Sequence, residues 1–185
     1  GNLTNAYVPS DNRQDHIADT PCVLENSKIK AVFDPHTFVI TELTDKETGK
    51  TYENLNYFMD MGDRGNMWMY DNIPCDRIIN SLGEKAVVST SVNGPLCVKF
   101  TVDLTMKLPR DYDFAKQVRS DVLVDMPIHV EMTLKKGAKA LEVETTINNT
   151  AKDHYFKVCM PTGLKAEKTW AEGSFMVCEY PVRPS

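Results

Sequence analysis

Residues Leu96 to Lys107, LCVKFTVDLTMK, decide the fold class. Leu96, Val98, Phe100, Val102, Leu104 and Met106 alternate with Cys97, Lys99, Thr101, Asp103, Thr105 and Lys107. Side chains on a strand point alternately to its two faces, so a period of two puts the first set on a core and the second toward water. A helix fails, because its apolar stripe recurs every three to four residues. The stretch is a half-buried strand of an antiparallel sheet.

The same period appears on both sides. Ile29, Ala31 and Phe33 share a face, Asp34-Pro35-His36 turns the chain, and Phe38 to Leu43 returns as the second strand of a hairpin. Gly49 closes the next turn at a position expected to need positive φ. Asn93-Gly94, ahead of the opening stretch, is a hairpin signal. Downstream, Ile128, Val130, Met132 and Leu134 point inward, then Leu141, Val143, Thr145 and Ile147; His154 to Met160 is a further strand with Phe156, Val158 and Met160 on one side, and Phe175 to Tyr180 a last one. Pro109 to Asp121 is a charged excursion or a single helical turn. Turns recur every eight to fifteen residues and helical signals are few. The reading is all-β, an antiparallel β-sandwich over 22–185 behind a polar tail or linker over 1–21, with an extended end at Pro181 and Pro184.

Composition narrows the function classes. The chain has 185 residues and a formal net charge of −5, with no Lys/Arg run, so a nucleic-acid partner has no electrostatic footprint. Apolar runs are too short to span a bilayer as a helix. The N-terminus lacks the apolar stretch of a signal peptide, which leaves cytoplasm and periplasm open. Gly1, with no Met before it, reads as the start of a piece of something longer. Cys22, Cys75, Cys97, Cys159 and Cys178 are widely spaced and odd in number, so buried free thiols are expected rather than a disulfide framework or zinc site. His16, His36, His129 and His154 show no metal-ligand spacing, so neither metal nor cofactor is expected in this chain. His129 and Glu131 could serve an epimerase as acid and base, but a solvated outer face is the preferred reading.

Tyr57 to Pro74, YFMDMGDRGNMWMYDNIP, departs from the pattern. Its glycines are too many for a strand interior, and its Met and aromatic surface is too large for a solvated loop. Asp60 and Asp63 could be a glycosidase acid pair. Alternatively, Asp63-Arg64 between Gly62 and Gly65 makes a tight loop held by its own ion pair. Met59, Met61, Met67, Met69 and Trp68 could line a sugar-stacking or interdomain surface, or simply pack. Its acids have no partner His, and no second catalytic carboxylate can be placed, so no catalytic residue is assigned.

Four segments in order resemble the β-sandwich portion of glycoside hydrolase family 38, the α-mannosidases. They are LENSKIKAVFDPHTFVITELTDKETGK, FMDMGDRGNMWMY, LEVETTINNTAKDHYFKVCMPTGLKAE and FMVCEYP, within residues 22 to 182. The resemblance implies a galactose-mutarotase-like supersandwich, incomplete here, that packs on catalytic and helical domains of the same parent chain. It implies a retaining α-mannosidase as the parent, with zinc and nucleophile in the missing catalytic domain, and an isolated chain that is inactive. Asp63, Arg64, Asn66, Trp68 and Tyr70 become substrate-binding candidates on a face open to solvent in this fragment, with a mannoside as ligand. Asn66-Met67 departs from the family, where an Asp or small residue and then Tyr are usual, and Tyr155 stands where Arg is common. A stand-alone carbohydrate-binding module and a mutarotase-like epimerase are the alternatives.

Overall fold

The structure, a computed structural model, describes residues 22–182 except Met67 and Cys75. The expected tail over 1–21, with His16, and the end of the chain at Pro184 lie outside the described residues.

Four strands open the chain: β1 (Val23–Glu25), β2 (Ile29–Phe33), β3 (Ile40–Asp45) and β4 (Thr51–Leu55). They form one antiparallel sheet in sequence order. Next come β5 (Tyr57–Gly62), β6 (Ile79–Asn80), β7 (Ala86–Asn93) and β8 (Cys97–Pro109). Two short strands follow, β9 (Tyr112–Asp113) and β10 (Val118–Arg119), then β11 (Leu123–Lys135) and β12 (Glu142–Ile147). The chain closes with β13 (His154–Cys159), β14 (Lys168–Gly173) and β15 (Met176–Pro181). A second four-stranded sheet runs β12-β11-β8-β7, a three-stranded sheet runs β13-β5-β6, and β9/β10 and β14/β15 are separate hairpins.

The alternation in the sequence becomes the core. Val98, Phe100, Val102, Leu104, Met106 and Leu108 of β8 are buried, and β11 adds Met126, Ile128, Val130, Met132 and Leu134. Leu96 lies in the turn and is exposed. Facing them are Leu24, Ile29, Ala31, Phe33 and Ile40 of the first sheet. Phe33 stacks on Phe38 at 4.6 Å, and both meet Phe100 edge-on. Each such side chain contributes about 1.5–3 kcal/mol by leaving water. Asn26 locks the two sheets together. It is buried, donates to the Lys135 and Ala138 carbonyls, and accepts from the Lys28 and Ile29 amides.

Gly49 has φ +72°, as its turn requires. The Asn93-Gly94 hairpin forms, but without left-handed glycine. Asn93 pairs with Val98, and the Gly94 amide donates to the Cys97 carbonyl across a longer turn containing Pro95. The charged excursion holds no helical turn. It is the β9/β10 hairpin, with Gln117 at φ +58° in its bend.

The larger correction falls on Tyr57–Gly62. This segment is a strand, and it is the central one of its sheet. Phe58, Asp60 and Gly62 are its buried face. The period of two was present, but an aspartate in an inward position disguised it.

Candidate functional site

The second half of the departing stretch is a small hairpin mounted on the end of β5. Its sides are closed by isolated bridges between Asp63 and Asn72 and between Asn66 and Met69. Asp63 Oδ1 accepts from the Gly65 amide at 2.8 Å and the Asp71 amide at 2.9 Å. Asn66 Oδ1 accepts from the Trp68 and Met69 amides at 2.9 and 3.2 Å. Short acceptors of this kind replace the backbone partners that a tight turn cannot supply. Gly65 is required here, since a Cβ would lie 1.8 Å from the Met69 carbonyl oxygen.

Arg64 pairs with Asp71 at 3.0 Å, not with its neighbour Asp63 as the sequence suggested. The Asp71 carboxylate, and behind it the Tyr112 hydroxyl, stabilise the guanidinium charge and push the Arg64 pKa up. Asp63, Arg64 and Asn66 thus fold the hairpin, while Trp68 and Tyr70 are what it displays. Trp68 is 86% exposed and Tyr70 50%. Tyr70 has its pKa raised by partial loss of water and by the Asp63 carboxylate, so its hydroxyl keeps its proton at neutral pH and can donate. Met67 lies outside the described residues.

The hairpin stands on a buried ionic cluster. Asp60 is fully buried; one carboxylate oxygen meets Arg119 at 2.5 Å and the other meets His154 Nδ1 at 2.6 Å. Asp76 lies 3.8 Å from Arg119 and accepts from the Gly62 amide at 2.6 Å. His154 Nε2 faces Asn149 Oδ1 at 3.0 Å, and that oxygen also accepts from the Ala151 amide, which fixes the orientation of the amide group. The Asp63 amide donates to the Asp153 carbonyl, and the Asp153 carboxylate accepts from the Tyr112 amide. The base of the hairpin is therefore braced by β13, by the β9/β10 hairpin and by the segment before β6.

Two expectations change. The acids of this stretch do have a histidine partner, His154, and Asp60 is no partner of Asp63 in a glycosidase pair, because it is sealed inside the cluster. Sequence reading missed Arg119, Asp76 and His154. The phase of Phe156 already put His154 on the inward face of β13, beside Gly62 and near the inward Asp60. Nothing marked Arg119. Tyr155 was also missed as a site residue; its ring lies 5.4 Å from that of Tyr70, and Lys157 sits over it at 5.0 Å.

The other histidine reading changes partner. His129 faces Asp103 at 2.7 Å on the outer face of the β8/β11 sheet, while Glu131 is engaged by Lys99 at 2.9 Å. Cys22, Cys97, Cys159 and Cys178 are free thiols, half-buried rather than buried, and Cys75 lies outside the described residues.

Comparison with known proteins identifies the scaffold. The pattern of the glycosyl hydrolases family 38 C-terminal domain matches residues 24–184. The chain belongs to this family. As a family 38 C-terminal domain it is 27% identical over 175 residues to a putative mannosylglycerate hydrolase of Halalkalibacterium halodurans, covering 87% of this chain and 19% of that protein. A solved family 38 protein from Enterococcus faecalis superposes with a TM-score of 0.80 at 27% identity, over 89% of this chain and 21% of that one. An alpha-mannosidase from Enterococcus faecalis V583 superposes with the same TM-score of 0.80 at 28% identity, over 91% of this chain and 21% of that one. This family 38 domain thus spans 19–21% of the length of these relatives.

Proposed function

We propose that this domain is the non-catalytic sandwich of an α-mannosidase-type glycoside hydrolase, packed on the catalytic part of its parent chain and lending the 63–72 hairpin to the wall of the mannoside pocket. The observation that carries the reading is an exposed aromatic tip on a rigid base. A tryptophan left in water on a loop with so many internal hydrogen bonds is suited to meet a ligand without further ordering, which lowers the entropic cost of binding. Asp63, Arg64 and Asn66 serve the pocket by holding the tip, and Trp68 and Tyr70 by contact, Trp68 offering its face to a sugar ring and Tyr70 a hydrogen bond. Among the described residues no group of three His, Cys, Asp or Glu side chains is placed to hold a metal ion. The reading assigns zinc and the nucleophile to the catalytic part of the parent chain.

Kinetics of the intact parent enzyme on an aryl α-mannoside test the reading. Trp68→Ala is expected to raise KM by about 2- to 13-fold, the worth of one aromatic contact of roughly 0.5–1.5 kcal/mol, with a smaller change in kcat. KM and kcat both unchanged in Trp68→Ala and in Tyr70→Phe would remove the hairpin from the pocket.

A further inference from the structure

His154, under the hairpin, has an acceptor at each ring nitrogen. Asn149 Oδ1 lies 3.0 Å from Nε2, and because that oxygen already accepts from the Ala151 amide, Nε2 must donate to it. Asp60 Oδ1 lies 2.6 Å from Nδ1. A bare lone pair and a carboxylate oxygen repel at that separation, so this contact holds a proton as well. Arg119 decides which side keeps it. Its guanidinium meets the other oxygen of Asp60 at 2.5 Å, and a cation there favours the carboxylate over the acid.

We infer that His154 is an imidazolium, charged on a side chain only 5% exposed, and that its second proton latches the base of the 63–72 hairpin. Charge balance agrees. Asp60 of β5 and Asp76 ahead of β6 are the carboxylates of the cluster, and Arg119 of β10 and His154 of β13 are its cations. With His154 neutral, one carboxylate would lack a counter-ion. Asp153, next in the chain, turns its carboxylate to the Tyr112 amide, and Phe156 brings an uncharged ring to 6.4 Å. His154 opposes Gly62, where β5 ends and the hairpin begins. A neutral ring has one N–H and would turn a lone pair on either Asp60 or Asn149, parting the ring from one of them. Through the seat of the hairpin, His154 is therefore a positioning residue for Trp68 and Tyr70. That last step rests on the role proposed for the hairpin; the proton does not.

Neutron diffraction from crystals of the intact parent enzyme in heavy water reads the proton directly. Deuterium is expected on both Nδ1 and Nε2 of His154. Deuterium on only one of them, or on Asp60 Oδ1 in place of Nδ1, would overturn the inference. Urea unfolding of the full 185-residue chain reads the charge independently. His154→Gln should lower the midpoint. Asp76→Asn should then shift it by less than about half as much in the His154→Gln background as in wild type, because it removes a carboxylate that has lost its counter-ion. Equal shifts in the two backgrounds would show that His154 carries no charge. Deuterium on both nitrogens with an unchanged KM in Trp68→Ala would sink only the pocket reading; a single deuterium with a raised KM would sink only the latch.

Discussion

Asp60→Asn is the sharpest test of how the hairpin is held. The substitution keeps the shape and one acceptor but removes the charge. Asp60 has no exposure, and its partners Arg119 and His154 are 6% and 5% exposed at the side chain, so water cannot replace what is lost. Arg119 would be left with Asp76 at 3.8 Å, beyond hydrogen-bond reach. Removing one member of a buried ion pair costs about 3–5 kcal/mol, chiefly because the survivor stays charged and unpaired. With a urea dependence of about 2 kcal/mol per molar, 4 kcal/mol lowers the unfolding midpoint by about 2 M. The assay is urea denaturation followed by far-UV circular dichroism. Tryptophan fluorescence is a poor probe here, because both tryptophans are already largely in water. The comparison is Asp125→Asn, which breaks an ion pair of 2.7 Å whose members are 67% and 61% exposed. That loss is expected to cost less than about 1 kcal/mol. Equal midpoints for the two variants would refute the assignment of the cluster as the brace of the hairpin. So would strict additivity of Asp60→Asn and Arg119→Gln in a double-mutant cycle, since side chains in contact must couple.

Asn26→Ala removes four hydrogen bonds, two that tie the β1–β2 turn to the end of β11 and the turn after it and two that close the β1–β2 turn itself; the buried groups left without partners predict a loss of about 2–4 kcal/mol, read as a lowered thermal or urea midpoint, while retention of the wild-type midpoint would show that this lock is idle. Asp34 has its pKa lowered from 3.8, first by the Thr37 and then by the His36 amide. A depressed folded value means that the stabilisation is present above the unfolded pKa and is lost as pH falls from about 4 through the depressed value. Asp34→Asn should therefore flatten the stability profile in that acid window and leave its neutral shape alone; an unaltered acid limb would count against the turn geometry.

The sequence disclosed those strands whose inward face is uniformly apolar. β8 could be read from Cys97 onward and β11 from Ile128 onward, because nothing but burial produces a strict period of two over such a length; the first five residues of β11 were not read as strand. β5 could not, since Asp60 sits in an inward position and a charged residue there signals water unless its partners are known. Those partners lie far along the chain, and no local rule links a carboxylate to an arginine in a charged excursion. The Asn93-Gly94 turn was placed correctly but its conformation was not, because Pro95 and the bulge between Thr90 and Val92 alter the geometry the dipeptide alone would favour. At the candidate site the residue types were visible before their division of labour. Asp63, Arg64 and Asn66 became ligand candidates through the family resemblance, while the glycines around them already suggested a tight loop; in the structure they build that turn. Trp68 and Tyr70 stand out only once exposure is known.

The Asp60 cluster also sets an order of events during synthesis. Asp60 reaches Arg119 only 59 residues later and His154 only 94 residues later. At about 5–20 residues per second, a ribosome needs roughly 5–20 s to deliver His154 after Asp60 has emerged. Through that interval the carboxylate keeps its hydration, and docking β5 through Phe58 carries the cost of burying Asp60 without its partners. The first sheet, whose strands follow one another closely, can form while β5 waits. The segment that displays the aromatic tip is thus translated early and completed late, and a stall between residues 119 and 154 would leave its glycine-rich, Met-rich surface loose within reach of other nascent chains.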